Sequence, residues 1–90
     1  LDGSEPDEAV KTVARGLQEP DSLAAAGGYL YYTIPETGTV HRVSKRGGTP
    51  ETLARHQAQP TGVLVDSAAV YWINGGHQGG EGSLVKLERL

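Results

Sequence analysis

The chain has 90 residues, a formal net charge of −3, an apolar share of 37% and no cysteine. This length allows one small domain, the acidic balance argues against nucleic-acid binding, and the lack of cysteine excludes disulfides and thiolate metal sites. No apolar run approaches the ~20 residues that a membrane-spanning helix needs. Small domains without such staples often gain stability by oligomerising.

Thirteen glycines and five prolines punctuate the chain, which is typical of many short strands joined by turns. Residues 1–8 are acidic and polar and are predicted to form a flexible N-terminal arm. Beyond them, short runs rich in β-branched and aromatic residues predict strands. A short helical turn is the alternative for the first run. In chain order the predicted strands are residues 9–15, 22–26, 29–34, 39–44, 51–55, 62–66, 70–74 and 83–88.

The second half of the chain repeats the first at a spacing of forty residues. After Asn74 four extra residues intervene, so that the last strand aligns at a spacing of forty-four. A period near forty with four strand-like pieces is the signature of β-propeller blades. The shift of forty pairs Thr12 with Thr52, Val13 with Leu53, Ala14 with Ala54, Pro20 with Pro60, Tyr31 with Tyr71, and Tyr32 with Trp72.

The clearest motif in the second copy runs from Pro60 to Asn74 and continues at residues 82–87. Its matching residues are Pro60, Gly62, Val63, Leu64, Val65, Asp66, Val70, Tyr71, Trp72, Ile73, Asn74, Gly82, Ser83, Leu84, Lys86 and Leu87. These residues resemble the repeat of YWTD-type β-propellers and of related bacterial propellers. The resemblance implies an all-β unit over residues 9–90, with two blades of four antiparallel strands each. Ala26 stands where the second copy has Asp66, so this acid is not common to both blades.

The count of strands predicts how the chain assembles. Residues 20–55 make a complete first blade, whereas the second blade, residues 60–90, lacks its outer strand. Residues 9–15 match an outer strand with no blade of their own, so we expect them to complete the second blade of a neighbouring copy in a head-to-tail ring. The YWTD-type propellers are typically six-bladed, which favours a homotrimer over rings of two or four copies. A fragment of a longer propeller is the alternative.

The glycine-rich loop of residues 75–82 is the insertion that breaks the repeat, and it is the most informative candidate for function. In a propeller it shares one face with the loops of residues 16–21, 35–38 and 56–61, and ligands commonly bind on that face. A solvated hairpin tip is the alternative interpretation of this loop. The candidate ligand-binding residues are His56, Gln57, Asn74, His77, Gln78 and Glu81.

Two functions are compatible with these residues. The first is a non-catalytic binding or scaffold module, secreted or periplasmic and envelope-associated, which presents repeated sites to a polar small molecule or glycan. The alternative is a propeller lyase or hydrolase that uses His56, His77 and Glu81, with or without a metal. No catalytic residue, metal-ligand set or cofactor is predicted, because no recognised triad, phosphate loop or metal signature is present. We expect His41, on a strand, to be structural.

Overall fold

The computed structural model describes residues 10, 12–76 and 82–88. Over these residues the chain is all-β, with seven strands in two antiparallel sheets. No helix occurs among these described residues, and so none that is long and apolar enough to cross a membrane. The strands are β1 (Leu23–Ala26), β2 (Tyr29–Ile34), β3 (Thr39–Ser44), β4 (Glu51–Ala54), β5 (Pro60–Val65), β6 (Ala69–Asn74) and β7 (Ser83–Glu88).

Each sheet is a meander in which consecutive strands are neighbours. The first sheet has the order β1-β2-β3-β4 and the second has the order β5-β6-β7. The central hairpins are in full register, as the pairs Tyr32 with His41 and Trp72 with Val85 show. The register shifts at Val40/His41, where β3 meets β4, and around Gly62 in β5, which marks a bulge at each place.

The all-β prediction is confirmed, and most strand bounds agree with the expected ones within two residues. The exception is the predicted strand at residues 9–15, because Val10 and residues 12–15 are not in a strand. A strand requires a neighbour that pairs with its backbone N–H and C=O groups. In the described part of the single chain, residues 12–15 pair with neither sheet. The predicted arm, residues 1–8, lies outside the described residues.

The two sheets pack face to face, and the main core lies between them. The first sheet contributes Tyr31 and Val40, and the second contributes Val63, Val70 and Trp72. The backbone N–H of Val63 also donates a hydrogen bond of 2.8 Å to the Ser22 hydroxyl, just before β1. Burial of these aromatic and β-branched side chains contributes about 2 kcal/mol each, so the sheet-to-sheet contact holds the chain together.

A second cluster covers the opposite face of the first sheet. Tyr32, Ile34 and Val43 are buried there, although no strand of the second sheet reaches this face. The cover comes from Val13, Ala14 and Leu17, in the segment that precedes the first sheet. This N-terminal segment, residues 12–17, is therefore part of the folded unit.

Candidate functional site

Three loops meet at one end of the two sheets, and backbone hydrogen bonds tie them together. The N–H of Gln57, in the loop that joins the sheets, donates to the carbonyl of Gly38 in the β2–β3 turn at 2.9 Å. The N–H groups of Gly75 and Gly76, after β6, donate back to the carbonyls of Gln59 and Ala58. Three of the loops that the sequence places on one face therefore lie together where the structure describes them, and Gln57 lies in the loop that joins the other two.

The approach of the β2–β3 turn to the joining loop requires glycine at position 38. Gly38 has a φ of +72°, and an added Cβ would lie 2.5 Å from the backbone oxygen of Gln57. A left-handed φ disfavours L-residues, and that separation is too short for a carbon next to a carbonyl oxygen. Gly38 therefore allows the two loops to make their backbone contact.

The side chain of Gln57 links the joining loop to the second sheet. Its Oε1 accepts hydrogen bonds from Trp72 Nε1 at 3.2 Å and from Asn74 Nδ2 at 2.9 Å. Its Nε2 donates to the carbonyl of Arg55 at 2.9 Å. Two predicted ligand-binding residues, Gln57 and Asn74, thus lie together, but their amides bond to each other. Their first role is to position Trp72 and the end of β6.

Asn74 also brings an unused acceptor to this cluster. The residue is 8% exposed, and its Oδ1 has no hydrogen-bond partner among residues 10, 12–76 and 82–88. A buried amide oxygen without a partner costs about 1–3 kcal/mol. Asn74 Oδ1 therefore favours the approach of a hydrogen-bond donor.

His56 is the exposed one among the candidate residues that the structure describes. It lies in the joining loop beside Gln57, with a φ of +61°, and Gln59 in the same loop has a φ of +58°. Such conformations are uncommon outside glycine and mark a tightly constrained loop. The remaining predicted ligand-binding residues, His77, Gln78 and Glu81, lie outside the described residues, so the site that they were predicted to form stays a prediction.

His41 has the structural role that the sequence predicts. Its ring stacks on Tyr32 with 5.2 Å between ring centroids. Hydrogen bonds join its Nε2 to the Thr39 hydroxyl at 2.8 Å and its Nδ1 to the Thr52 hydroxyl at 3.1 Å. Burial and, second, the charge of Arg55 lower the pKa of His41 below its ordinary value. The ring therefore joins β3 to β4.

Asp66 lies at the opposite end of the second sheet, where it closes the β5–β6 turn. Its Oδ1 accepts from the backbone N–H groups of Ala68 and Ala69 at 2.8 Å each, and its Oδ2 accepts from the Tyr71 hydroxyl at 3.1 Å. The two backbone hydrogen bonds are the main reason that its pKa is lowered. As expected from the sequence, this acid caps a turn.

Residues suited to metal binding do not cluster in the part of the chain that the structure describes. Over residues 10, 12–76 and 82–88, no three side chains among His, Asp and Glu come together to hold an ion. Two concave features of the sheets are instead apolar grooves. One lies on the second sheet and is lined by Leu64, Tyr71, Ile73 and Leu84 among others.

The groove on the second sheet belongs to an exposed apolar face that the sequence patterns above do not predict. Leu64 is 67% exposed, Ile73 is 45% exposed and Leu84 is 83% exposed. The repeat could have revealed this exposed face, because Leu64, Ile73 and Leu84 match Ala24, Thr33 and Val40 of the first copy, which are more buried.

Comparisons with protein families, with curated proteins and with solved structures find no match to this chain. The resemblance to YWTD-type repeats therefore stays a prediction from the sequence.

Proposed function

We propose that this chain is a non-catalytic binding or scaffold module whose two sheets are consecutive blades of a β-propeller. Three copies close a six-bladed ring head to tail, and the loop face around Gln57 is presented to a polar ligand, with carbohydrate as the leading class. The main observation in support is that residues buried in the first sheet have repeat equivalents in the second sheet that are exposed.

The contact between the two sheets uses different faces of the repeat. The first sheet packs with the face that carries Tyr31 and Val40, whereas the second packs with the face that carries Val70 and Trp72. The shift of forty residues maps Val70 and Trp72 onto Leu30 and Tyr32, which lie on the far side of the first sheet. The contact is therefore heterologous, the kind that forms rings or filaments when it is repeated between copies.

The free face of the second sheet has the side chains needed to repeat this contact. Leu84, 83% exposed, matches Val40, which is fully buried, and Ile73, 45% exposed, matches the fully buried Thr33. These positions are buried in the first sheet because the second sheet covers them. A second copy whose first sheet lies over Leu64, Ile73 and Leu84 would bury them in the same way, for about 2 kcal/mol per side chain.

The solution mass tests this assembly. Three chains of 9.5 kDa give about 28.5 kDa, and we expect that mass by light scattering at micromolar concentration. A monomeric mass would overturn the proposal, as would an open series of higher masses that grows with concentration. A closed ring of two or four copies would retain the assembly and correct the number of blades.

A substitution on the free face tests which surface is used. Leu84→Glu introduces a charge at a side chain that is 83% exposed in the single chain, so the fold should be preserved while the ring dissociates to monomers. Thr49→Glu, which adds the same charge at an exposed turn, is the matched control and should keep the trimer mass. Equal masses for the two variants would contradict the proposed face.

Binding to glycan-coated surfaces tests the ligand class. A trimer that presents three equal sites should bind such a surface with at least ~100-fold higher avidity than a single site. We expect the wild-type ring to bind a subset of glycans, and the folded Leu84→Glu variant to lose most of this binding. A trimer that binds no surface of a broad glycan panel would contradict the ligand class and leave the assembly unaffected.

A further inference from the structure

We propose that residues 12–15 of one copy form the fourth strand of the second sheet of another copy. In this seam Thr12 lies opposite Val85 of the partner subunit, and Ala14 lies opposite Leu84 of the partner subunit. The inference rests on the proposed head-to-tail assembly and specifies the edge and the register through which it closes.

The first support is the backbone conformation of the segment before the first sheet. In the loop that joins the sheets, His56 and Gln59 have φ values of +61° and +58°. Forty residues earlier, Gly16 and Glu19 have φ values of +76° and +44°. Left-handed conformations are uncommon for residues other than glycine, so their recurrence at Glu19 and Gln59, together with Gly16 and His56, supports a similar path for residues 16–20 and 56–60.

The second support is the packing of this segment on the first sheet. Leu53, in β4, lies between the sheets beside Val70 and Leu87. Its repeat equivalent, Val13, lies beside Leu30 and Val43, which match Val70 and Leu87 in the repeat. Val13 therefore meets the first sheet as the outer strand of a preceding blade would.

The same equivalence holds in the loop that follows each of these two segments. Gln57 bonds through its side chain to Trp72 and Asn74. The equivalent residue, Leu17, lies against Tyr32 and Ile34, which match Trp72 and Asn74 in the repeat. Gln57 and Leu17 therefore contact equivalent residues, the first through hydrogen bonds and the second through apolar packing. Residues 12–17 are thus already placed as an outer strand and its exit loop.

The third support is an unpaired edge on the second sheet. In the first sheet β3 pairs with β4, whereas β7, the equivalent of β3, has no further strand beside it in the described chain. Such an edge presents free N–H and C=O groups to another strand. The β3–β4 pairs Val40 with Ala54 and His41 with Thr52 transfer, by the two repeat shifts, to Leu84 with Ala14 and Val85 with Thr12.

The occupant of this edge is a second copy and not the same chain. Val13 packs on the far face of the first sheet, whereas Val85 belongs to the cluster between the sheets. The first sheet therefore separates residues 12–15 from β7 of their own chain. Since stacked sheets lie about 10 Å apart, a direct pairing within one chain would require unpacking the core.

A cysteine pair tests the register directly, because the chain has no cysteine of its own. Thr12→Cys with Val85→Cys copies the positions of Thr52 and His41, whose side chains touch at 3.1 Å, and opposite residues of paired strands are within disulfide range. We expect mild oxidation to give covalent dimers and trimers on a denaturing gel. Thr12→Cys with Lys86→Cys is the matched control, because successive side chains alternate between faces, and it should remain monomeric there.

The outcomes separate this inference from the assembly on which it rests. A trimeric solution mass without cross-links at Thr12 and Val85 would overturn the strand addition and leave the propeller assembly standing. Equal cross-linking of the control pair would also overturn the register. A disulfide within single chains would show that a copy completes its own sheet. A monomeric mass in the uncross-linked wild type would overturn both proposals.

Discussion

At the residue scale, the loop face depends on a few positions at which the backbone itself makes the contact. The sequence predicts that the loops of residues 35–38 and 56–61 share a face, and the hydrogen bond from Gln57 N–H to the Gly38 carbonyl places them there. Pattern alone did not predict that Gln57 turns its amide toward Trp72, fifteen residues away, because that bond depends on how the joining loop folds back.

Replacing Gly38 by alanine should separate the two loops. A Cβ at this position meets the Gln57 oxygen at 2.5 Å and is held at a φ of +72°, so the free energy of unfolding should fall by about 2–4 kcal/mol. Gly28→Ala is the control, since its φ is +82° but no atom lies within 4 Å of the added carbon. Denaturant titration should show a loss of only about 1 kcal/mol there. Equal losses would show that the contact between the loops contributes nothing.

His41 should make the stability depend on pH in a defined window. Its pKa is lower in the folded chain than the ordinary 6.5, so the unfolded chain binds the proton first as pH falls. The contribution of His41 to the free energy of unfolding is therefore fully present above pH 6.5, and it is lost as the pH falls from there toward the folded pKa. His41→Gln should flatten this dependence in denaturant titrations between pH 5 and 8, and His56→Gln, at an exposed position, should keep it. A wild type with flat stability across that range would contradict the argument.

At the element scale, the strands that the sequence predicts best are the central hairpins. β2, β3 and β7 have the predicted bounds. Side chains of β2 and β3 alternate between two packed faces, whereas β7 packs one face, with Val85 and Leu87, and leaves Leu84 exposed. β5 begins two residues early, at Pro60, which is allowed for the first residue of an edge strand. The run at residues 9–15 also has β-branched residues, Val10, Thr12 and Val13, but is not a strand where the structure describes it, since strand formation depends on a partner edge as well as on propensity.

The link from the joining loop to β6 has an apolar counterpart, which predicts a coupled substitution. Gln57→Leu alone leaves the Trp72 and Asn74 donors without their acceptor, so the free energy of unfolding should fall by about 2 kcal/mol. The triple variant Gln57→Leu, Trp72→Tyr, Asn74→Ile copies Leu17, Tyr32 and Ile34, and should recover most of that loss. A double-mutant-cycle treatment of the denaturant midpoints measures the coupling. Additive losses would show that the two clusters are not equivalent.

At the scale of the whole molecule, one contact between unlike faces explains both what is buried and what is exposed. The first sheet uses one face of the repeat inside the chain and shields the other with residues 12–17. The second sheet leaves Leu64, Ile73 and Leu84 uncovered. The sequence predicts the repeat and the missing outer strand. Only the structure shows that the residues exposed on the second sheet are the repeat equivalents of residues buried in the first sheet, because burial depends on which sheet lies next to which.

If the ring forms, the melting temperature should rise with protein concentration. Each tenfold increase favours association by about 1.4 kcal/mol, and two associations shared among three chains give about 0.9 kcal/mol per chain. For a domain of this size that shift corresponds to roughly 5 °C in melting temperature. Calorimetry of the wild type and of Thr49→Glu at 10 and 100 μM should show this rise, whereas Leu84→Glu should melt at one temperature at both concentrations. A melting temperature independent of concentration in all three proteins would mean that each chain is stable alone, with its apolar face open to water.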